Sequence, residues 1–125
     1  MQQLTKLNLL KGDKLKMGSF NINEITEFSE EKRVRKTMFN GSHLEVDLIF
    51  YVPDQSSPEH KHPTQDEVFY IVNGSGTMYL DGEPVAVKEK DVIVVPSGTV
   101  HGIKNTGSEN LTVMFVKSKP KVNNN

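Results

Sequence analysis

The stretch LEVDLIFYV at residues 44–52 constrains this chain more than any other. Leu44, Val46, Leu48, Phe50 and Val52 fall on one parity, and Glu45, Asp47, Ile49 and Tyr51 on the other. Successive strand side chains point to opposite faces, so the run reads as a strand with the first set turned to an apolar core. Pro53-Asp54 ends it. Short apolar runs then recur at close, even intervals: Val68–Val72, Thr77–Leu80, Val85–Val87, Val92–Val95 and Leu111–Val116. Asn73-Gly74 and Asp81-Gly82 close two of them and accept the positive φ angles that tight hairpins need. Many short strands so spaced predict an all-β antiparallel architecture, a barrel or a sandwich. Gly74-Ser75-Gly76 reads as a hairpin and not as a phosphate cradle, since no helix follows it.

The ends of the chain read differently. Residues 1–20 carry leucines at 4, 7, 9, 10 and 15 and four lysines against one aspartate, with Gly12 and Gly18 interrupting any helix. They are expected to be an extension that frays or docks on a partner subunit. Asn23–Lys36 places four acids before four bases, an order that suits a short, solvated surface helix. Residues 119–125 read as a loose tail. With 125 residues there is material for one domain, expected over 21–118. Fifteen basic residues against sixteen acidic ones give a net charge of -1, which offers nucleic acid or an anionic membrane no bulk attraction. There is no cysteine for a disulfide or thiolate site, and no apolar run long enough to span a bilayer. The opening residues lack the marks of a secretory signal, so a cytoplasmic protein is expected.

Three of the four histidines stand in two tight contexts. His60-Lys61-His62 is followed by Glu67, and Pro96-Ser97-Gly98-Thr99-Val100 leads into His101. On a strand, residues two apart share a face, so His60 and His62 can aim at one point while Lys61 points away. With Glu67 and His101 they would complete a set of three nitrogens and one oxygen. Such a set suits divalent Fe, Mn, Co, Ni, Cu or Zn better than Ca or Mg. An HxH pair alone is a weak signal; the full arrangement is what carries weight.

That arrangement resembles the cupins. Their first motif reads G-x5-H-x-H-x3,4-E-x6-G, and residues 54–74 supply His60, His62, Glu67 and Gly74 at that spacing. Their second reads G-x5-P-x-G-x2-H-x3-N, matched by Pro96, Gly98, His101 and Asn105. Both opening glycines are replaced, by Asp54 and Lys90. The resemblance spans about residues 40–117. It implies a jelly-roll-like double-stranded β-helix barrel, with one divalent transition metal held in its mouth by His60, His62, Glu67 and His101. It further implies a homodimer, often formed by exchange of an N-terminal strand.

Cupins of this size include dioxygenases, isomerases and lyases acting on small polar molecules, so an enzyme is the first reading. A non-catalytic small-molecule binding or sensing module is the second, and a metal-stabilised structural module the third. Four ligands on an octahedral ion leave two places open, and the ion keeps a surplus of one positive charge, which favours an anionic or chelating oxygen ligand. Phe69 and Ile71 share the parity of Glu67 and are expected to line the pocket. No catalytic residue stands out. Glu45, Asp47, Tyr51, Tyr79 and His43 are loose acid–base candidates, but parity turns Glu45, Asp47 and Tyr51 away from the apolar face, and His43 reads as a surface residue.

Overall fold

The structure is a computed structural model that describes residues 18–120. Most of the expected extension, residues 1–17, and the tail residues 121–125 lie outside that range. One helical turn, α1 (Ile22–Ile25), precedes nine strands: β1 (Val34–Asn40), β2 (Leu44–Tyr51), β3 (Ser56–His60), β4 (Glu67–Asn73), β5 (Ser75–Leu80), β6 (Glu83–Lys88), β7 (Val92–Val95), β8 (His101–Lys104) and β9 (Leu111–Ser118). They form two sheets, ordered β1-β2-β9-β4-β7 and β3-β8-β5-β6, whose strand pairs are antiparallel. This is the two-sheet barrel architecture the strand pattern predicts. Among the described residues, no helix is long and apolar enough to cross a membrane.

The five-stranded sheet is covered on both faces around β1 and β2, while β4 and β7 keep exposed valines on the outer face, and that reverses the reading of β2. Ile49 and Tyr51 join Phe69, Ile71, Met78, Ile103 and Phe115 in the core between the sheets. Leu48 and Phe50 point the other way, into a second cluster with Met38. Phe20, Ile22, Ile25 and Phe28 pack onto that outer cluster, with the Phe28 and Phe50 rings edge to face at 5.5 Å. The parity with more hydrocarbon therefore faces a lid made by the chain's own N-terminal segment, and the mixed parity faces the barrel interior. The expected helix over 23–36 is corrected likewise. It shrinks to one turn capped by the Asn21 side chain, and Val34 already begins β1. The apolar residues within this charged stretch, not its charge order, decide its place, because burying them on the sheet removes apolar area from water.

Turn chemistry divides in two. Asp81 and Gly82, at φ of 49° and 84°, make the tight β5–β6 hairpin in which Leu80 faces Glu83. Gly74 is no hairpin residue: β4 and β5 belong to different sheets, and the turn is a corner between them. A Cβ at Gly74 would lie 2.3 Å from the Asn110 carbonyl oxygen, and φ is +87°. Asp54 and Lys90, which replace the motif glycines, both adopt positive φ, 75° and 76°. Asn105 is wholly buried and holds strand ends together, its Nδ2 donating to the carbonyls of Tyr51 and Glu109. Lys119, expected in the loose tail, is tied down: its backbone N–H donates to the His43 carbonyl at 3.0 Å.

Candidate metal centre

His60 ends β3 and His101 opens β8, and the two face each other across that antiparallel pair. Glu67 opens β4 in the other sheet. His62 lies just past β3, on a segment whose carbonyl accepts from Gly98 N–H at 2.9 Å, so the two histidine motifs are fastened together. Asp66 secures the second motif from the first, accepting from Ser97 N–H at 2.8 Å. The chain thus brings all four expected residues to one point. One ligand atom from each of His60, His62, Glu67 and His101 lies within 4.8 Å of the others. Opposite ligands about 2.1 Å from a metal would be roughly 4 Å apart, so the cluster is close to a coordination shell in size.

The tautomers follow from the hydrogen bonds. Nδ1 of His60 is 2.9 Å from the Pro58 carbonyl and Nδ1 of His101 is 3.0 Å from the Thr99 carbonyl. A carbonyl only accepts, so each Nδ1 carries a proton, and the atom left to ligate is Nε2. Nε2 of His101 is 3.2 Å from Glu67 Oε1, and Nε2 of His62 is 3.0 Å from the same oxygen. Glu67 and His101 are buried, and among the described residues neither Glu67 Oε1 nor His101 Nε2 has a hydrogen-bond partner of acceptable geometry. Lone pairs facing one another in a dry site are costly, and a shared cation or proton removes the cost. Burial lowers the pKa of His101, yet the Glu67 carboxylate and the Thr99 carbonyl outweigh it and the net shift is upward. For His62 burial dominates and the net shift is downward, which favours the neutral form that can ligate. Three imidazoles and one carboxylate form a cluster able to hold a divalent transition ion.

The cluster opens into a cavity of about 290 Å³. Phe69 lines it, whereas Ile71 is fully buried in the main core and is not among the lining residues. Tyr51, expected to face away, lines the cavity instead, with its hydroxyl 2.7 Å from Ser57 Oγ. Burial pushes the Tyr51 phenol up to about 12, so it remains a neutral hydroxyl. Asp47, also expected outside, is wholly buried and receives Arg35 Nη2 on Oδ2 at 3.2 Å. Arg35 meets Glu45 Oε2 at the same distance. His43 and Lys61 are exposed and Tyr79 is half-buried; none of the three lines the cavity. Arg33, Arg35 and Lys117 do line it, and sequence reasoning missed all three. The arginines alternate within a stretch read as helix, and Lys117 shares the parity of Phe115; reading the first stretch as a strand and carrying the last strand one residue past Val116 would have found them.

The family model described as "Cupin domain" matches residues 48–117. An oxalate-binding protein of Thermotoga maritima is 38% identical over 64 residues, covering 51% of this chain and 53% of that protein. An acireductone dioxygenase of Parvibaculum lavamentivorans is 29% identical over 103 residues, 72% of this chain and 55% of that one. The chain spans about half the length of the curated relatives it matches. In fold it resembles the crystal structure of the protein TT1209 from Thermus thermophilus, with a TM-score of 0.78 at 21% identity over 85% of this chain and 100% of that one. With the matched segment running from β2 to β9 and enclosing every residue of the histidine and glutamate cluster, the chain belongs to the cupin family.

Proposed function

We propose that the protein binds one divalent transition metal through His60, His62, Glu67 and His101 and acts there on a small, oxygen-bearing, anionic or chelating molecule, as a dioxygenase, isomerase or lyase. The observation that supports this best is the convergence of Glu67 Oε1 and His101 Nε2, buried, 3.2 Å apart and unsatisfied without a cation or proton between them. When bound, the ion supplies Lewis acidity or, if redox-active, oxygen activation. The chain's own residues do the rest. Pro58 and Thr99 carbonyls fix the ring tautomers, Phe69, Ile49, Met78 and Phe115 exclude water, and the Tyr51–Ser57 hydroxyl pair offers a neutral hydrogen-bonding point on the wall.

The test is metal analysis of tag-free protein beside His62→Ala and His101→Ala variants. About one ion per chain is expected in the parent, and a large loss in both folded variants. Equal metal content in all three would overturn the assignment.

A binding module without turnover is the second reading. What favours it is that, among the described residues, the lining beyond the cluster and three cations offers one titratable group, the Tyr51 phenol, which burial keeps neutral. Turnover assays on any ligand that binds decide between the two. The reading includes a homodimer, supported by Val92 and Val94, 60% and 65% exposed on edge strand β7. Light scattering should then give twice the chain mass of 14.1 kDa, and a monomer at high concentration would remove this part.

A further inference from the structure

The cavity holds a second chemical feature besides the cluster. Arg33, Arg35 and Lys117 all line it, and among the described residues the only acid in the lining is Glu67. For a chain with a net charge of -1, that is a local concentration of positive charge. Register shows how it arises. Lys117 on β9 stands directly opposite Glu67 on β4, and both project to the interior face. Arg35 on β1 stands opposite Ile49 and lies over the Phe115 ring, 5.3 Å from its centroid. Arg33 donates from Nη1 to the Ser56 carbonyl at 3.0 Å and so is anchored to β3, the strand that ends in His60. The three cations therefore come from β1, its leading residue and β9, while the cluster is held by β3, β4 and β8.

These cations are not all engaged internally. Arg35 is shared between Glu45 and Asp47, which lie outside the lining. Among the described residues, neither Arg33 nor Lys117 forms an ion pair. Lys117 stands opposite Glu67 on β4 and Glu45 on β2, and Arg33 faces no acid in the lining, so three cations against one lining carboxylate leave a wall that attracts an anion and repels a cation. A monoanion held at the ion through its own chelating oxygens would leave the guanidinium of Arg33 without an acidic partner. A volume of about 290 Å³, at the low end of ligand pockets, suits a small molecule such as a short carbon chain.

We propose that the natural ligand is a short dianion, with a chelating oxygen head at the histidine and glutamate cluster and a second acidic group, a carboxylate or its equivalent, received by Arg33, Arg35 and Lys117. This rests on the reading of the cluster as an open metal centre. The basic residues act as specificity determinants: they select the tail and leave the head to the ion. Arg33 and Arg35 offer forked donors that suit a planar carboxylate, and Lys117 supplies a point charge close to the cluster.

The experiment compares two ligands that share a chelating head and a five-carbon chain and differ only in the tail: 2-oxoglutarate and 2-oxopentanoate. Each is titrated into the Co(II)-loaded protein by calorimetry, with the d–d spectrum followed in parallel, for the parent, Lys117→Gln and Arg33→Gln. Thermal unfolding confirms that each variant is folded. Arg35 is left intact because it also answers the buried Asp47. The diacid should bind the parent about tenfold more tightly, the scale of one charge-assisted hydrogen bond. Each variant should bring that ratio toward one while leaving 2-oxopentanoate within about twofold, and added salt should shrink the ratio. Equal affinity for the two ligands in the parent, or a ratio unmoved by both variants, overturns the dianion proposal and leaves the metal reading standing. If neither ligand perturbs a fully loaded Co(II) protein, the open centre is wrong and the proposal falls with it. If Co(II) is not taken up at all, the cluster reading itself is wrong.

Discussion

Asp47 has no exposure to solvent, and among the described residues its Oδ1 has no hydrogen-bond partner. Burial and the adjacent Glu45 carboxyl push it up to about 6, against the Arg35 guanidinium, which works to lower it. Contact with Asp47 draws Glu45 downward, so of the pair it is Asp47 that keeps the proton. A carboxyl whose folded pKa is raised contributes stability that is full below its ordinary value of 3.8 and is lost as pH rises toward 6. A difference of that size corresponds to about 3 kcal/mol. Asp47→Asn cannot ionise and should lack this loss. Urea unfolding of parent and variant should therefore show the variant gaining about 3 kcal/mol relative to the parent between pH 4 and pH 7, and little further change above. A pH-independent difference would mean that Asp47 ionises freely in the folded protein. At this scale the sequence was legible only in part. His60, His62, Glu67 and His101 could be read because metal ligands need particular residue types at particular spacings. Asp47 could not, because an acid alternating with apolar residues looks like the solvated side of a strand unless the opposite face is known to be covered.

Strands and turns fared better, and their misreadings share one cause. Runs bounded by Asp81-Gly82 and Pro96 ended where the local chemistry said they would, since φ and hydrogen bonding there are set by the residues themselves. β1 and the Phe20–Phe28 segment were hidden, because their place depends on covering Leu48 and Phe50, residues distant in sequence. Gly74 shows the same limit: its turn chemistry was plain, but whether the next strand pairs or crosses to the other sheet is decided elsewhere. Lys90 carries a prediction at this scale. Its φ of 76° costs a residue with a Cβ about 1 kcal/mol or more, while glycine adds a few tenths of unfolded-state entropy. Its backbone N–H donates to the Ile71 carbonyl at 2.8 Å, and a glycine keeps that bond. Lys90→Gly should accordingly stabilise the barrel by about 0.5 kcal/mol, read as a rise of a few degrees in Tm. Asp54→Gly should gain less, because a short polar side chain tolerates the left-handed region at lower cost. A fall in Tm for Lys90→Gly would show that its side chain holds the turn by other means.

For the whole molecule, fold class was readable but strand order was not. No local pattern reveals that β9 runs between β2 and β4, or that β8 lies between β3 and β5. These neighbours are far apart along the chain, and their pairing is settled by which faces can be buried together. The cluster depends on that order: His60 and His101 belong to one sheet and Glu67 to the other, so a bound ion would join the two sheets at the mouth. A ligand that binds only the folded state stabilises it by mass action, by about 2.7 kcal/mol at a free concentration one hundred times Kd. For a domain of 125 residues this corresponds to a Tm difference of roughly 10 °C between metal-saturated and chelator-treated protein. His62→Ala removes one ligand from a segment outside the strands and should abolish most of the difference. Its own chelator-treated Tm should stay close to that of the parent, since His62 adds little to the apolar core. Calorimetric scans of the two proteins, each with metal and with chelator, separate the contributions. A shift that survives in His62→Ala would place the stabilising ion somewhere other than this cluster. No shift in either protein would mean that the two sheets are joined by their packing alone.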